Sequence, residues 1–227
     1  MNFYAQHSKH FVAVDCIIFG FDQKRIQILL HKRKFEPYKG GWSLFGGFLD
    51  EYEDIDKAAE RILNSLTGFS DIYLEQLYVY GNVERDKERV ISVAYFALIN
   101  TEQYSSMAGG EYDAVWFPLE ELPELVLDHK IMVEKALRRL KRKALSEPIG
   151  FELLPEKFTL PRLQRLYETI YGEGFDKRNF RKKLLSMGIL EKLVEKDKSE
   201  SKKGAYLFRF DKEKYDELLR QGMGFEL

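Results

Sequence analysis

A chain of 227 residues has room for two small domains, each with its own core. Its 44% hydrophobic and 32% charged residues exclude a disordered or fibrous protein, and its single cysteine, Cys16, excludes an internal disulfide framework or a thiolate metal site. The net charge of −1 is unevenly placed, at −4 over residues 1–150 and +3 over residues 151–227. No basic segment followed by a long apolar run opens the sequence, and no stretch approaches about eighteen apolar residues. A cytoplasmic protein that is neither exported nor membrane-spanning is therefore expected.

The first half reads as short strands between turns: FVAVDCIIFGF, RIQILLHKR, a Gly-rich WSLFGGFL, LEQLYVYGNV and ISVAYFALI, a strand-rich α+β pattern. Among them, Ile55, Ala58, Ala59, Ile62, Leu63 and Leu66 recur at helical spacing, and Gly68 beyond them predicts a left-handed stop. A second long helix is expected from about Pro123 or Asp128 to Leu145, with Ile131, Met132, Ala136 and Leu140 inward and RRLKRK outward. SEPIG then suggests a boundary, giving an N-terminal domain over residues 1–147 and a C-terminal one over 148–227.

Beyond that boundary the pattern becomes helix, short turn, helix and hairpin. Thr159 is placed to cap a helix with Pro161 in its first turn and Leu160, Leu163, Leu166, Tyr167 and Ile170 as its buried stripe. Asp176 caps the next helix, where Phe180, Leu184 and Met187 face inward and five of the seven residues from Lys177 to Lys183 are basic. ILEKLVEK and AYLFRF form a hairpin around DKSESKKG. This is the layout of a winged helix-turn-helix. Its cations suit DNA phosphates, while Arg178, Asn179 and Arg181 are types that pair with guanine or adenine edges. The residues assigned to DNA are Thr159, Arg162, Lys177, Arg178, Asn179, Arg181, Lys182, Lys202 and Lys203. Arg138, Arg139, Lys141, Arg142 and Lys143 are either further phosphate contacts or a solvated helix face.

From Gly46 to Phe69 the chain reads GGFLDEYEDIDKAAERILNSLTGF and resembles the Nudix box, with Gly47, Glu53, Arg61, Leu63, Gly68 and Phe69 in register. At the three glutamate positions stand Ile62, Ser65 and Leu66. The family's enzymes use those carboxylates to hold divalent metals against a diphosphate, so the resemblance implies a domain without metal or catalysis. Asp50, Glu51, Glu53 and Asp54 either complement the dipole of the box helix or rebuild a metal site, and Arg61 either pairs with a carboxylate or meets a ligand. The resemblance implies a mixed sheet between helices with a cleft beside the box helix, and HKRKFEPYKGGWSLFGGF looks like the ADP-ribose-type branch.

FELLPEKFTL and DKRNFRKKL extend the resemblance over nearly the whole chain, to the Nudix-related transcriptional regulators, in which an inactive Nudix domain precedes a winged helix. The family implies a homodimeric repressor on palindromic, double-stranded operator DNA, needing no cofactor. Its effector is L-arabinose in the branch this chain looks closer to, which controls pentose utilisation, or ADP-ribose in the branch controlling NAD metabolism. Trp42, Phe45, Asp50, Glu51, Arg61, Asn82 and Tyr95 are of suitable chemistry for such a site. An active diphosphate hydrolase and a protein-docking module are the readings from other classes.

Overall fold

The computed structural model describes residues 3–68, 72–104, 114–199 and 202–227. Its N-terminal sheet is built around β1 (Val12–Phe21), an apolar strand long enough to serve several neighbours. The first half of β1 pairs antiparallel with β4 (Phe45–Phe48), and the second half pairs antiparallel with β2 (Ile26–Lys32). On its other edge β1 runs parallel to β6 (Ile91–Ile99), with Val12 opposite Ile91 and Gly20 opposite Ile99. The short β3 (Trp42–Ser43) extends the sheet beyond β2, and β5 (Tyr73–Tyr80) lies outside β6. A further strand, β7 (Val115–Pro118), pairs with β2. Its four residues are too few to display a periodicity in the sequence.

The two-residue alternation of strands sorts the core into two layers. Val14, Cys16, Ile18, Val93, Tyr95 and Ala97 face one side, covered by Ala58, Ala59, Ile62 and Leu63 of α1 (Ile55–Thr67). Ile17, Phe19, Phe21, Phe96 and Leu98 face the other, covered by α3 (His129–Ser146). Gly68 ends α1 in the left-handed conformation, as expected, while Phe69 and the side chain of Leu66 lie outside the described residues. In α3 the inward stripe is Met132, Val133, Ala136, Leu140 and Ala144. Ile131, expected inward, is instead 56% exposed, because the helix starts at His129 and turns that position away.

The second core layer runs on without a break into the C-terminal residues. After α3, a buried 3-10 turn (Ile149–Leu153) leads to β8 (Phe158–Thr159) and α4 (Leu160–Tyr171). Next come α5 (Lys177–Ser186), β9 (Leu190–Asp197) and β10 (Ala205–Phe210), in a sheet ordered β8-β10-β9. Helix, helix and a three-stranded sheet ending in a β9–β10 hairpin make a winged helix. The left-handed Gly204 closes the hairpin: a Cβ there would meet the Asp197 carbonyl oxygen at 3.0 Å. The final helix α6 (Lys212–Arg220), capped by Asp211, is an element the sequence reading did not anticipate. None of the described helices is long and apolar enough to cross a membrane.

Candidate functional site

The described side chains of the box helix form no metal cradle. Ile62 packs in the core beneath Gly47, and the Ser65 hydroxyl donates to the Ile62 carbonyl at 2.8 Å. Arg61 Nε and Nη2 each donate to a Glu53 oxygen at 2.7 Å, and Nη2 also donates to the Phe48 carbonyl at 3.1 Å. The Glu53 carboxyl is held below the usual carboxylate range, chiefly by those hydrogen bonds from Arg61. Arg61 is thus engaged with a carboxylate. Among the described residues no cluster of three or more His, Cys, Asp or Glu side chains is arranged for a metal. A hard divalent cation needs several free oxygen ligands, so the residues present do not fit one.

Two grooves flank this sheet. The first, about 860 Å³, lies between α1 and β5, with Asp56, Arg61, Ser65, Gln76 and Tyr95 on its walls. The Tyr95 hydroxyl donates to Asp56. The second, about 780 Å³, is lined by Tyr38, Tyr80, Asn82, Glu84 and Arg85 and by the segment from Glu124 to Asp128 ahead of α3. Behind it lies a polar cluster within the fold. Arg85, whose side chain is 4% exposed, donates from Nε and Nη2 to the two Asp128 oxygens at 3.0 and 2.8 Å, and its Nη2 lies 3.9 Å from Asp15. Ser92 donates to Asp15, and His129 Nε2 is 3.8 Å from the other Asp15 oxygen. The Leu44 N–H donates to His129 Nδ1 at 3.2 Å. Burial pushes the His129 imidazole down, against the opposing pull of Asp15 and Asp128. Gly46 leaves the space that Asp15 fills, since a Cβ there would lie 2.4 Å from Asp15 Oδ1.

The residues expected to contact an effector are not gathered in one place. Arg61 and Tyr95 line the first groove and Asn82 the second. Asp50 and Glu51 sit on an exposed turn. Phe45 is a core residue stacked on His31, its ring centroid 4.6 Å away, which corrects its assignment to a binding surface. Trp42 packs edge-on against Phe117 with Lys32 over its ring, outside the walls of both grooves. The polar cluster went unanticipated, although a charged Asp15 within FVAVDCIIFGF was its signal: a carboxylate in an apolar strand requires partners.

The C-terminal cations divide just as sharply. Lys177, Arg178, Asn179, Arg181, Lys182 and Lys183 are all exposed on α5, away from Phe180 and Leu184, and among the described residues none of these cations forms an ion pair. Lys202 and Lys203 are exposed at the tip of the wing. Thr159 and Arg162 are corrections. Thr159 is 6% exposed, and its hydroxyl accepts the Arg162 N–H as a helix cap. The Arg162 guanidinium, 14% exposed, is paired at 2.5 Å with Glu102 of the N-terminal half. On α3, Arg139 and Lys143 are tied to Glu75, whereas Arg138 and Arg142 stay exposed.

A Nudix sandwich that lacks its metal-binding carboxylates and carries a winged helix with a bare cationic face defines a two-part protein of the DNA-binding class. Comparison with known proteins agrees with that architecture: the NUDIX domain family matches residues 9–139, and the NrtR DNA-binding winged helix domain matches residues 150–210. The ADPR responsive transcriptional repressor NtrR of Acinetobacter baylyi is 36% identical over 94% of this chain and 89% of its own length. The crystal structure of Shewanella oneidensis NrtR complexed with a 27mer DNA superposes with a TM-score of 0.82 at 29% identity, covering 94% of this chain and 97% of that one. The NUDIX domain of the same Shewanella protein, in cocrystals with ADP ribose, is 30% identical with a TM-score of 0.52, over 60% of this chain and 92% of that one. The chain belongs to the NrtR-type family of Nudix regulators. The effector named for these relatives is ADP-ribose, so the expected affinity with an arabinose-responsive branch is not supported.

Proposed function

We propose that the protein is a transcriptional repressor that binds duplex DNA through α5 and the wing and responds to ADP-ribose bound, without hydrolysis, in its Nudix half. The observation that carries this reading is the similarity to an ADP-ribose-responsive repressor along nearly the whole chain, joined to the loss of the box carboxylates. An effector that its own receptor cleaved would end its own signal. Ile62, Ser65 and Leu66 remove that chemistry while leaving the fold and its grooves in place.

The second groove is the proposed effector site. Tyr38 and Tyr80 offer ring faces to an adenine, the Asn82 amide is left to donate, and Glu84 and Glu124 can accept from ribose hydroxyls. The Tyr80 hydroxyl is enclosed and has no partner among the described residues, leaving a polar group for a ligand to satisfy. On the DNA side, Lys177, Arg178, Asn179, Arg181 and Lys182 are proposed to enter the major groove, with Lys202 and Lys203 on the adjacent backbone. A homodimer of units divided near residues 147 and 148 would present two such helices to a palindromic site.

The test is a binding measurement with a duplex selected from a random-sequence pool by the wild-type protein, with and without ADP-ribose. Selection of a specific duplex whose affinity changes with ADP-ribose supports the reading; enrichment of no duplex sinks it.

A further inference from the structure

We infer that Glu102 is a positioning residue that transmits the state of the Nudix half to the DNA-binding wing, by holding Arg162 in an ion pair between the two halves. The inference rests on the reading of the chain as an effector-responsive DNA-binding protein and names the path of that response.

The pair stands at the junction of several elements. Arg162 projects from the first turn of α4, and its Nη2 donates to Glu102 Oε1 at 2.5 Å. Its charge also reaches Asp197, the last residue of β9, where the wing loop begins. The Asp197 carboxyl lies below the usual carboxylate range, first because the Ser199 N–H donates to it and further because Arg162 is near. Arg162 therefore meets the Nudix half through its Glu102 hydrogen bond, while its own N–H is held by Thr159, which pairs with Leu207 of β10 in the wing.

Glu102 is itself fixed to the two central strands of the Nudix sheet. It lies in the short helix α2 (Thr101–Tyr104), directly after β6. The Asn100 side chain accepts the Glu102 N–H at 3.0 Å, and the Thr101 hydroxyl donates to the Phe21 carbonyl at the end of β1 at 2.6 Å. Gln23, in the turn between β1 and β2, donates to the Glu102 oxygen that also holds Arg162, at 2.6 Å. The same turn receives α4 directly: Arg165 donates to the Gln23 carbonyl at 3.3 Å, and the Thr169 hydroxyl, which donates to the Arg165 carbonyl at 2.7 Å, lies 3.2 Å from the Lys24 carbonyl. Gln23 holds a left-handed backbone, φ 74°, and it aims both its side chain and its carbonyl at this junction.

The parallel pair β1 and β6 also carries the groove chemistry. Asp15 and Ser92 stand behind the second groove, and Tyr95 lines the first. A displacement of either strand by a ligand is delivered at its far end to Glu102, and from there to α4 and the wing. Hydrogen-bonded ion pairs suit such a relay because they are directional and have made and broken states, unlike the continuous apolar packing beside them. A pair that served only as a staple would affect folding, but not the difference that ADP-ribose makes.

The experiment uses full-length protein and the duplex selected by the wild type. The quantity read is the ratio of duplex dissociation constants with and without saturating ADP-ribose, expected within about 5–150-fold of unity for coupling of this kind. In Glu102→Gln the ratio is expected to fall at least about threefold toward one, with the melting curve still cooperative. Arg162→Gln should behave alike, and the double variant should move the ratio no further than either single change, as residues acting through one contact do. Arg162→Lys, which keeps the charge, should retain most of the ratio. A wild-type ratio preserved in Glu102→Gln would overturn the relay and leave the responsive-repressor reading standing. A wild-type protein that binds the duplex without any ADP-ribose effect would overturn that reading, and the relay with it.

Discussion

Ser65 donates its hydroxyl to the carbonyl of Ile62, 2.8 Å away and one turn earlier on α1. Both residues stand where the Nudix pattern has glutamates, and both are turned to the helix's own structure: one satisfies a backbone carbonyl, the other fills the core beneath Gly47. At Ile62 the loss of the carboxylate is therefore built into the packing, whereas Ser65 stands exposed at the groove wall.

Ile62→Glu should accordingly destabilise the protein by about 3 kcal/mol or more, because the new carboxylate enters an apolar layer without a partner. For a chain of this length that corresponds to a melting temperature lower by roughly 6–12 °C. Ser65→Glu, at the groove wall, should be tolerated and should still give no Mg²⁺-dependent cleavage of ADP-ribose. Turnover by the wild type or by Ser65→Glu would show that the remaining carboxylates suffice.

Arg85→Ala should cost about 3–5 kcal/mol, because it leaves Asp128 and Asp15 partly enclosed without their cation. Denaturant unfolding would show a lower midpoint with an unchanged slope. A loss below about 1 kcal/mol would mean that water already screens the cluster.

Two of the four imidazoles, those of His129 and His31, give the stability a sign with pH. Burial is the main cause holding both His129 and His31 below the usual histidine value. Between those lowered values and the unfolded value of about 6.5, the unfolded chain binds protons that the native chain does not. Stability should therefore be full above about pH 6.5 and fall as the pH drops below it. His129→Asn, which can still accept the Leu44 N–H, should flatten that fall when melting is followed between about pH 7.5 and 5.5. An equal slope in the variant would place the titration elsewhere.

Alternation and spacing made most of this fold legible in advance. β1, β2, β5 and β6 alternate or run apolar, α1 and α4 carry apolar stripes ending in glycine stops, α4 with its Thr159 cap, and α5 lies under Asp176. β7 and α6 were not anticipated, one being too short for a period and the other packing just Tyr215 and Leu218 inward along its nine residues. The sites were less legible because partners distant in sequence decide what a polar residue does. Arg162 and Arg178 are the same residue type in adjacent helices, yet Glu102, sixty positions away, occupies the first and leaves the second exposed. Asp15, Arg85 and Asp128 meet only once the sheet is folded.

That division yields a prediction about DNA. Arg178→Ala should weaken binding to a selected duplex by about 1–3 kcal/mol and relax its sequence preference, as loss of a paired guanine contact does. Lys182→Ala should reduce the salt slope by about one, with little change in preference. Thr159→Ala should lower stability by about 1 kcal/mol through the lost cap while sparing the DNA contacts themselves. Equal DNA defects in all three at matched folded fractions would argue against α5 as the reading helix.

The most direct measurement is fluorescence anisotropy of the labelled, selected duplex with purified protein at fixed salt, titrated with ADP-ribose and, as a control, with L-arabinose. The account predicts saturable binding whose affinity is altered by ADP-ribose, without Mg²⁺ and with the ADP-ribose recovered intact. A duplex affinity indifferent to ADP-ribose, or an effector recovered as AMP and ribose phosphate, would contradict it.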